Sequence, residues 1–195
     1  SQGLWNSTPS KLSWYTPSGS EAVVFDSAGN LGLGVMPSGW TSSYNVIDLN
    51  TGGAIYGTSS GLSISGNLYF DGTNWKAKTT GAGTLLATYG GQYIFYSAAS
   101  ANVGINASLG EKMRLDASGN LGVGTSSPNN RLHIYGASSV GMTLQAGTKY
   151  GYVVNDGTYI SLASDDGTTG VKFSVHRSAP DGAALIDSSG NVGIG

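Results

Sequence analysis

Glycine and proline leave this chain almost nowhere to build a helix. The 195 residues include 32 glycines and 5 prolines, spaced so that nearly every ten-residue window holds one. A glycine inside a helix costs about 1 kcal/mol relative to alanine, and a proline about 3 kcal/mol. Between these interruptions stand short runs in which apolar residues recur at the two-residue period of a half-buried strand. Such runs are "AVVFD" at 22–26, "YNVIDL" at 44–49, "GLSIS" at 61–65, "NLYFD" at 67–71 and "QYIFYS" at 92–97. Others are "KMRLD" at 112–116, "RLHIYG" at 131–136, "YGYVVND" at 150–156, "TYISLAS" at 158–164 and "VKFSVHR" at 171–177. Turn chemistry separates them: Asn67 after Gly66, "DGTN" at 71–74, "NDGT" at 155–158 and "DDGT" at 165–168. Asp-Gly between apolar runs is the strongest short-range hairpin signal. The chain therefore reads as all-β, Gly-rich, with short antiparallel strands and little or no helix.

Composition narrows the function. Only 10% of residues are charged, against roughly 25% in ordinary soluble proteins. The net charge is −2 and the nine cations are scattered, so nothing here draws a phosphate backbone, and no nucleic-acid partner is expected. No stretch approaches the roughly 18 consecutive apolar residues of a membrane span, and no membrane insertion is expected. With no cysteine, disulfides and thiolate metal sites are excluded. The opening "SQGLWNSTPS" lacks both a start methionine and a signal-peptide pattern, as expected of a fragment or a processed chain. Eleven tyrosines, four tryptophans and four phenylalanines, gathered in strand-like runs, argue against a disordered chain.

One nonapeptide occurs three times: "DSAGNLGLG" at 26–34, "DASGNLGVG" at 116–124 and "DSSGNVGIG" at 187–195. Pro37 and Pro128 follow the first two copies, and the runs "NVIDL" and "RLHIY" begin soon after. Unequal spacing excludes a solenoid period and suggests a joint that closes modules at 1–34, 35–124 and 125–195. In each copy the Asp side chain can accept a backbone N–H two residues on, and the following Gly can take the positive φ of the reversal. That assigns the turn to Asp26, Gly29 and Asn30, to Asp116, Gly119 and Asn120, and to Asp187, Gly190 and Asn191. The strand that follows alternates an apolar residue with glycine. Glycine weakens a strand unless another backbone comes close. Gly32, Gly34, Gly122, Gly124, Gly193 and Gly195 therefore read as close-packing positions, between chains or between strands of one chain. A turn with a bulge glycine in a monomeric sandwich reads equally well.

The stretch "MRLDASGNLGVGTSSPNNRLHIYG" at 113–136 resembles a segment of bacteriophage tail fibres and related virion appendages. "NLYFDGTNWKAKTTG" at 67–81 and "GQYIFYSA" at 91–98 resemble further elements of those fibres, in the same order along the chain, after "AIYGT" at 54–58. The resemblance spans about 35–136, and 184–195 through the repeat. It implies an elongated, intertwined homotrimeric β-fibre in the virion that takes part in attachment to a host surface glycan or protein. It also implies partners among the other tail or capsid proteins, and a continuation past Gly195 toward an intramolecular chaperone. Short strands with few lysines and prolines at their edges support association independently, because unpaired edges invite pairing. Three chains around a closed axis remove those edges without forming filaments.

Catalytic signals are sparse, and no enzyme, cofactor or metal site is expected. His133 and His176 lie in separate strand-like runs with no metal-ligand spacing. Asp165 and Asp166 are adjacent and belong to a turn, and Glu21 and Glu111 are the only glutamates, which leaves little for a glycosidase pair. A polysaccharide depolymerase and a bacterial adhesin or lectin module are the alternatives to a fibre. The aromatics are more informative, since rings beside amides and hydroxyls suit neutral sugars. Tyr150, Tyr152 and Tyr159, outside the repeated template, are the leading receptor-binding candidates, with Trp40 and Tyr44 beside them. Trp75, inside the shared motif, reads as a packing residue.

Overall fold

The computed structural model describes residues 4–8, 10–50, 52–138, 140–146, 149–155, 157, 159–165, 172–176, 184–186 and 192–194. Among the described residues there are strands and turns and no helix, so the fold is all-β. The chain divides into two compact units, Ser1–Ile134 and Tyr135–Gly195.

The first unit is built on one open sheet. Its strands are β1 (Leu4–Thr8), β2 (Lys11–Tyr15), β3 (Glu21–Asp26), β4 (Leu31–Leu33), β5 (Asn45–Leu49), β6 (Gly53–Thr58) and β7 (Gly61–Gly66). A separate hairpin of β8 (Leu68–Phe70) and β9 (Trp75–Ala77) follows. The sheet then resumes with β10 (Gly81–Tyr89), β11 (Gln92–Ala101), β12 (Leu109–Leu115), β13 (Leu121–Val123) and β14 (Leu132–Ile134). The twelve strands lie side by side in chain order, with β7 against β10, and the β8–β9 hairpin touches β6 and β10. All neighbours are antiparallel except β4 with β5 and β13 with β14, which are parallel.

Those two exceptions are the repeat at work. Asp26 ends β3 and its carboxylate accepts the backbone N–H of Ala28 at 2.9 Å and of Asn30 at 2.8 Å. The Asn30 amide donates to the other carboxylate oxygen at 3.0 Å, and Gly29 takes φ +85°. Asp116 repeats this arrangement with Ser118 at 2.9 Å, Asn120 at 2.8 Å and Gly119 at φ +79°. The expected Asx-type turn is present in both described copies. After each turn the chain crosses back over its own strand and lays a parallel strand beside it. A Cβ on Gly32 would sit 2.0 Å from the Val35 carbonyl oxygen, and one on Gly122 would sit 2.7 Å from that of Thr125. The backbone that approaches these glycines is therefore the chain's own return segment. Gly34 is a correction: an added Cβ there meets nothing within 4 Å, and its φ of +69° is what selects glycine. Gly124 adopts the same backbone, at φ +76°. Asp187, Gly190, Asn191 and Gly195 lie outside the described residues, and Gly193 is paired with Leu185.

The module limits expected at 34/35 and 124/125 fall on these crossovers, inside the sheet, because hydrogen bonding carries the sheet across each copy. The division between compact units comes later, after Ile134.

The two faces of the sheet differ. One holds the core: Val24, Val46, Ala54, Tyr56, Leu85, Ala87 and Ile94 are buried there, roofed in part by Trp40, Tyr69, Phe70 and Trp75. On the other face the register aligns a single cross-strand row: Leu12, Phe25, Leu31, Ile47, Ile55, Ile64, Leu86, Phe95, Met113, Val123 and Ile134. Every member is apolar, and each stands directly opposite the next. Yet Phe25, Ile47 and Phe95 are 39% exposed and Ile64 is 49% exposed.

The second unit contains an antiparallel sheet of β15 (Val140–Ala146), β16 (Lys149–Asn155), β17 (Tyr159–Asp165) and β18 (Lys172–His176), in chain order. Between β16 and β17, Gly157 has φ +88° and donates its N–H to the Asn155 side chain at 3.0 Å. A small pair, β19 (Ala184–Ile186) and β20 (Val192–Ile194), completes the described chain.

Candidate functional site: an aromatic groove

The site grows from a buried charge. Asp48, next to last in β5, is fully buried, and its carboxylate forms an ion pair with Lys78, whose side chain is 3% exposed. Burying such a pair is tolerable only when the remaining hydrogen-bonding positions are filled. They are filled. The Ser38 N–H and the Trp40 indole donate to Asp48 at 2.8 Å and 3.1 Å, and the Lys78 ammonium also donates to the Asn50 and Gly53 carbonyls at 3.0 Å each. This clamp fixes the return segment after β4 and the segment after β9 on the same face of the sheet.

Trp40 thereby becomes the hub of a ring cluster. Its centroid lies 5.1 Å from Tyr56, 6.4 Å from Tyr44, 6.3 Å from Tyr69 and 6.3 Å from Trp75, the last nearly edge-on at 87°. Tyr44 stacks on Tyr56 at 5.1 Å with only 12° between planes, and Phe70 packs on Trp75 at 5.3 Å. These separations fall in the range in which aromatic pairs attract beyond simple area burial.

Beside the cluster a groove of about 420 Å³ opens toward the β6–β7 and β10–β11 turns. Its aromatic walls are Tyr44, Tyr56, Trp75, Tyr89 and Tyr96. Leu85, Ala87 and Leu109 add apolar surface, and Thr58, Ser60, Ser63 and Thr88 add hydroxyls. The lining contains no charged side chain. A second cavity of about 380 Å³ shares Ser60, Thr88 and Tyr89 with it and continues to Gln92 and Tyr93. Tyr89 and Tyr96 meet hydroxyl to hydroxyl at 3.4 Å. Burial raises the phenol pKa of Tyr44, Tyr56 and Tyr96, and for Tyr96 the Tyr89 hydroxyl raises it further. These three phenols stay protonated well beyond neutral pH and can donate as well as accept.

Of the expected receptor residues, Tyr44 stands in the groove wall. Trp40 is corrected to a core residue, because it is 7% exposed and its only polar atom is bound to Asp48. Trp75 packs, as expected, and also lines the groove. Tyr150 pairs with Asp165, Tyr152 with Ala163 and Tyr159 with His176 in the second unit's sheet, and their side chains lie outside the described residues. His133, in β14, is half-buried, and its Nδ1 has no hydrogen-bond partner among the described residues. The convergence of Tyr56, Tyr89 and Tyr96 with the hydroxyls was invisible in the sequence. Each lies on a different strand, and only the register assembles them.

The carboxylates whose side chains are described are all engaged. Glu21 is bound by Lys11 and by the Tyr15 hydroxyl at 2.9 Å, and Asp71 holds Lys76 at 3.0 Å. Glu111 grips Arg114 through two bonds of 2.7 Å, and Asp26 and Asp116 serve the repeated turns. Compared with known proteins, the chain matches no family model and no curated protein.

Proposed function

We propose that this chain is a structural subunit of a phage fibre, a homotrimer that extends from the virion and takes part in attachment to the host surface. The observation that carries this reading is the eleven-residue apolar row on the uncovered face of the first unit's sheet. At about 25 cal/mol per Å² of apolar surface, leaving such a row in water forgoes a large stabilisation. A continuous apolar patch of this extent marks an interaction surface. The row runs across the strands, so its complement must be equally long and equally free of charge. A second and a third copy of the same chain satisfy that requirement by construction. Three sheets turned inward around one axis would stack their strands along the fibre, and the groove, on the opposite face, would look outward. The low charge, the repeated crossover joint and the full engagement of the described carboxylates all suit a structural role better than a hydrolytic one. Tyr150, Tyr152 and Tyr159, in the second unit, belong to this proposal as candidate receptor-binding residues.

Light scattering on the purified chain tests the assembly. The expected mass is three times the 19.8 kDa protomer, with slow dissociation in detergent. A monomer at micromolar concentration would overturn the reading.

A further inference from the structure

We infer that the aromatic groove of the first unit is a binding site for an uncharged saccharide. Its place in attachment rests on the fibre reading, whereas its chemistry rests on the lining alone. A volume of about 420 Å³ lies within the range of small-molecule sites. The rings of Trp75 and Tyr89 offer apolar faces for the C–H faces of a pyranose, and Ser60 and Ser63 offer hydroxyls in the same lining, whereas Tyr44 is stacked between Tyr56 and Phe70 and the Thr88 hydroxyl is held by the Leu62 backbone. A saccharide presents that same combination, apolar faces edged with hydroxyls.

Other ligand classes fit less well. An anionic sugar, a phosphate or a cationic peptide would meet no opposite charge in the lining, and the nearest charges, Arg114 and Glu111 beside Tyr96, are paired with each other. A purely apolar ligand would leave the serine hydroxyls and the Tyr89–Tyr96 hydroxyl pair without partners for their remaining hydrogen-bonding positions. The half-buried Tyr96 hydroxyl, which meets that of Tyr89 at 3.4 Å in the same wall, can both donate to and accept from sugar hydroxyls. Access is open on the Tyr89 side, where that ring is 42% exposed at the end of β10. The apolar row occupies the opposite face of the sheet, so association through it leaves the groove free.

A glycan array carrying neutral and acidic oligosaccharides, probed with the purified chain, tests the inference. Binding to one or more uncharged glycans is expected, weakened about tenfold or more by Tyr89→Ala, as for truncation of a central aromatic contact. Tyr135→Ala, which removes an exposed ring outside the groove, should leave binding unchanged. Titrating the bound glycan should also perturb tryptophan fluorescence through Trp75, a readout that needs no variant. Binding confined to acidic glycans, no binding, or binding indifferent to Tyr89→Ala would overturn the site. A trimer that binds no neutral glycan removes the groove and leaves the fibre. A monomer whose neutral-glycan binding is lost with Tyr89 does the reverse.

Discussion

A methyl group placed on Gly32 would lie 2.0 Å from the Val35 carbonyl oxygen, and one on Gly122 would lie 2.7 Å from the Thr125 oxygen. A backbone oxygen cannot swing aside as the end of a side chain can, so the whole return segment must shift. Gly32→Ala should therefore destabilise by about 1–3 kcal/mol, the usual effect of forced overpacking, and Gly122→Ala by less. Thermal melts of the two variants read the order directly. Asp48 sets a second residue-scale test. Asp48→Asn leaves the Lys78 ammonium buried without its counter-charge, and removing one partner of a buried pair costs about 3–5 kcal/mol. Urea denaturation should show that loss, with Asp48→Asn/Lys78→Met recovering part of it. The glycines were legible in sequence, since alternation with leucine in a strand demands an explanation. The ion pair was not, because its partners stand thirty residues apart and meet only when two loops fold onto one face.

Elements defined by local chemistry were legible, and elements defined by pairing were less so. The turns at Asp26, Asp71 and Asp116 follow from residues within a few positions of one another. By contrast β10, "GAGTLLATY", begins in glycine and alanine and carries no strand signal at its start. The parallel pairs were hidden as well, because a parallel connection usually needs a dozen or more residues and a helix. Here residues 34–44 and 124–131 manage it by folding tightly over glycine. The aspartate turns also carry a pH signature. Backbone N–H groups of Asn74 and Thr73, then Lys76, draw the Asp71 carboxyl down to about 2, and the Asn120 N–H draws Asp116 below its ordinary value. A carboxylate with a lowered folded-state pKa stabilises fully above its unfolded value and loses that contribution as pH falls through the folded one. The melting temperature should hold steady from pH 7 to about 4.5 and decline between about pH 4 and pH 2. Asp71→Ala and Asp116→Ala should each lower the plateau and flatten the decline, as pH-resolved melts would show. A decline centred near pH 6 would contradict the assignment.

At the scale of the molecule the sequence displayed the alternation of each strand but not the row that the strands compose together. Knowing that Ile47, Ile64 and Phe95 each face one side says nothing about whether they line up. Alignment depends on strand order and on a register kept across two crossovers and a hairpin that leaves the sheet between β7 and β10. Once aligned, the row separates folding from assembly in a way that mutation can exploit. Ile64 is 49% exposed and lies on the uncovered face, so Ile64→Asp costs the isolated chain little and keeps its strands paired. In a trimer closed on this row the same carboxylate would be buried among apolar side chains of three subunits without a counter-ion. Light scattering should then report a protomer-sized species, while circular dichroism retains the β signal. Ile94→Asp, at a fully buried position in β11 facing the core, should instead unfold the chain. The contrast between two aspartates in one sheet makes the outcome decisive. If Ile64→Asp remained trimeric, the row would not be the interface, and three copies would have to meet through the edges of β1 and β14 instead.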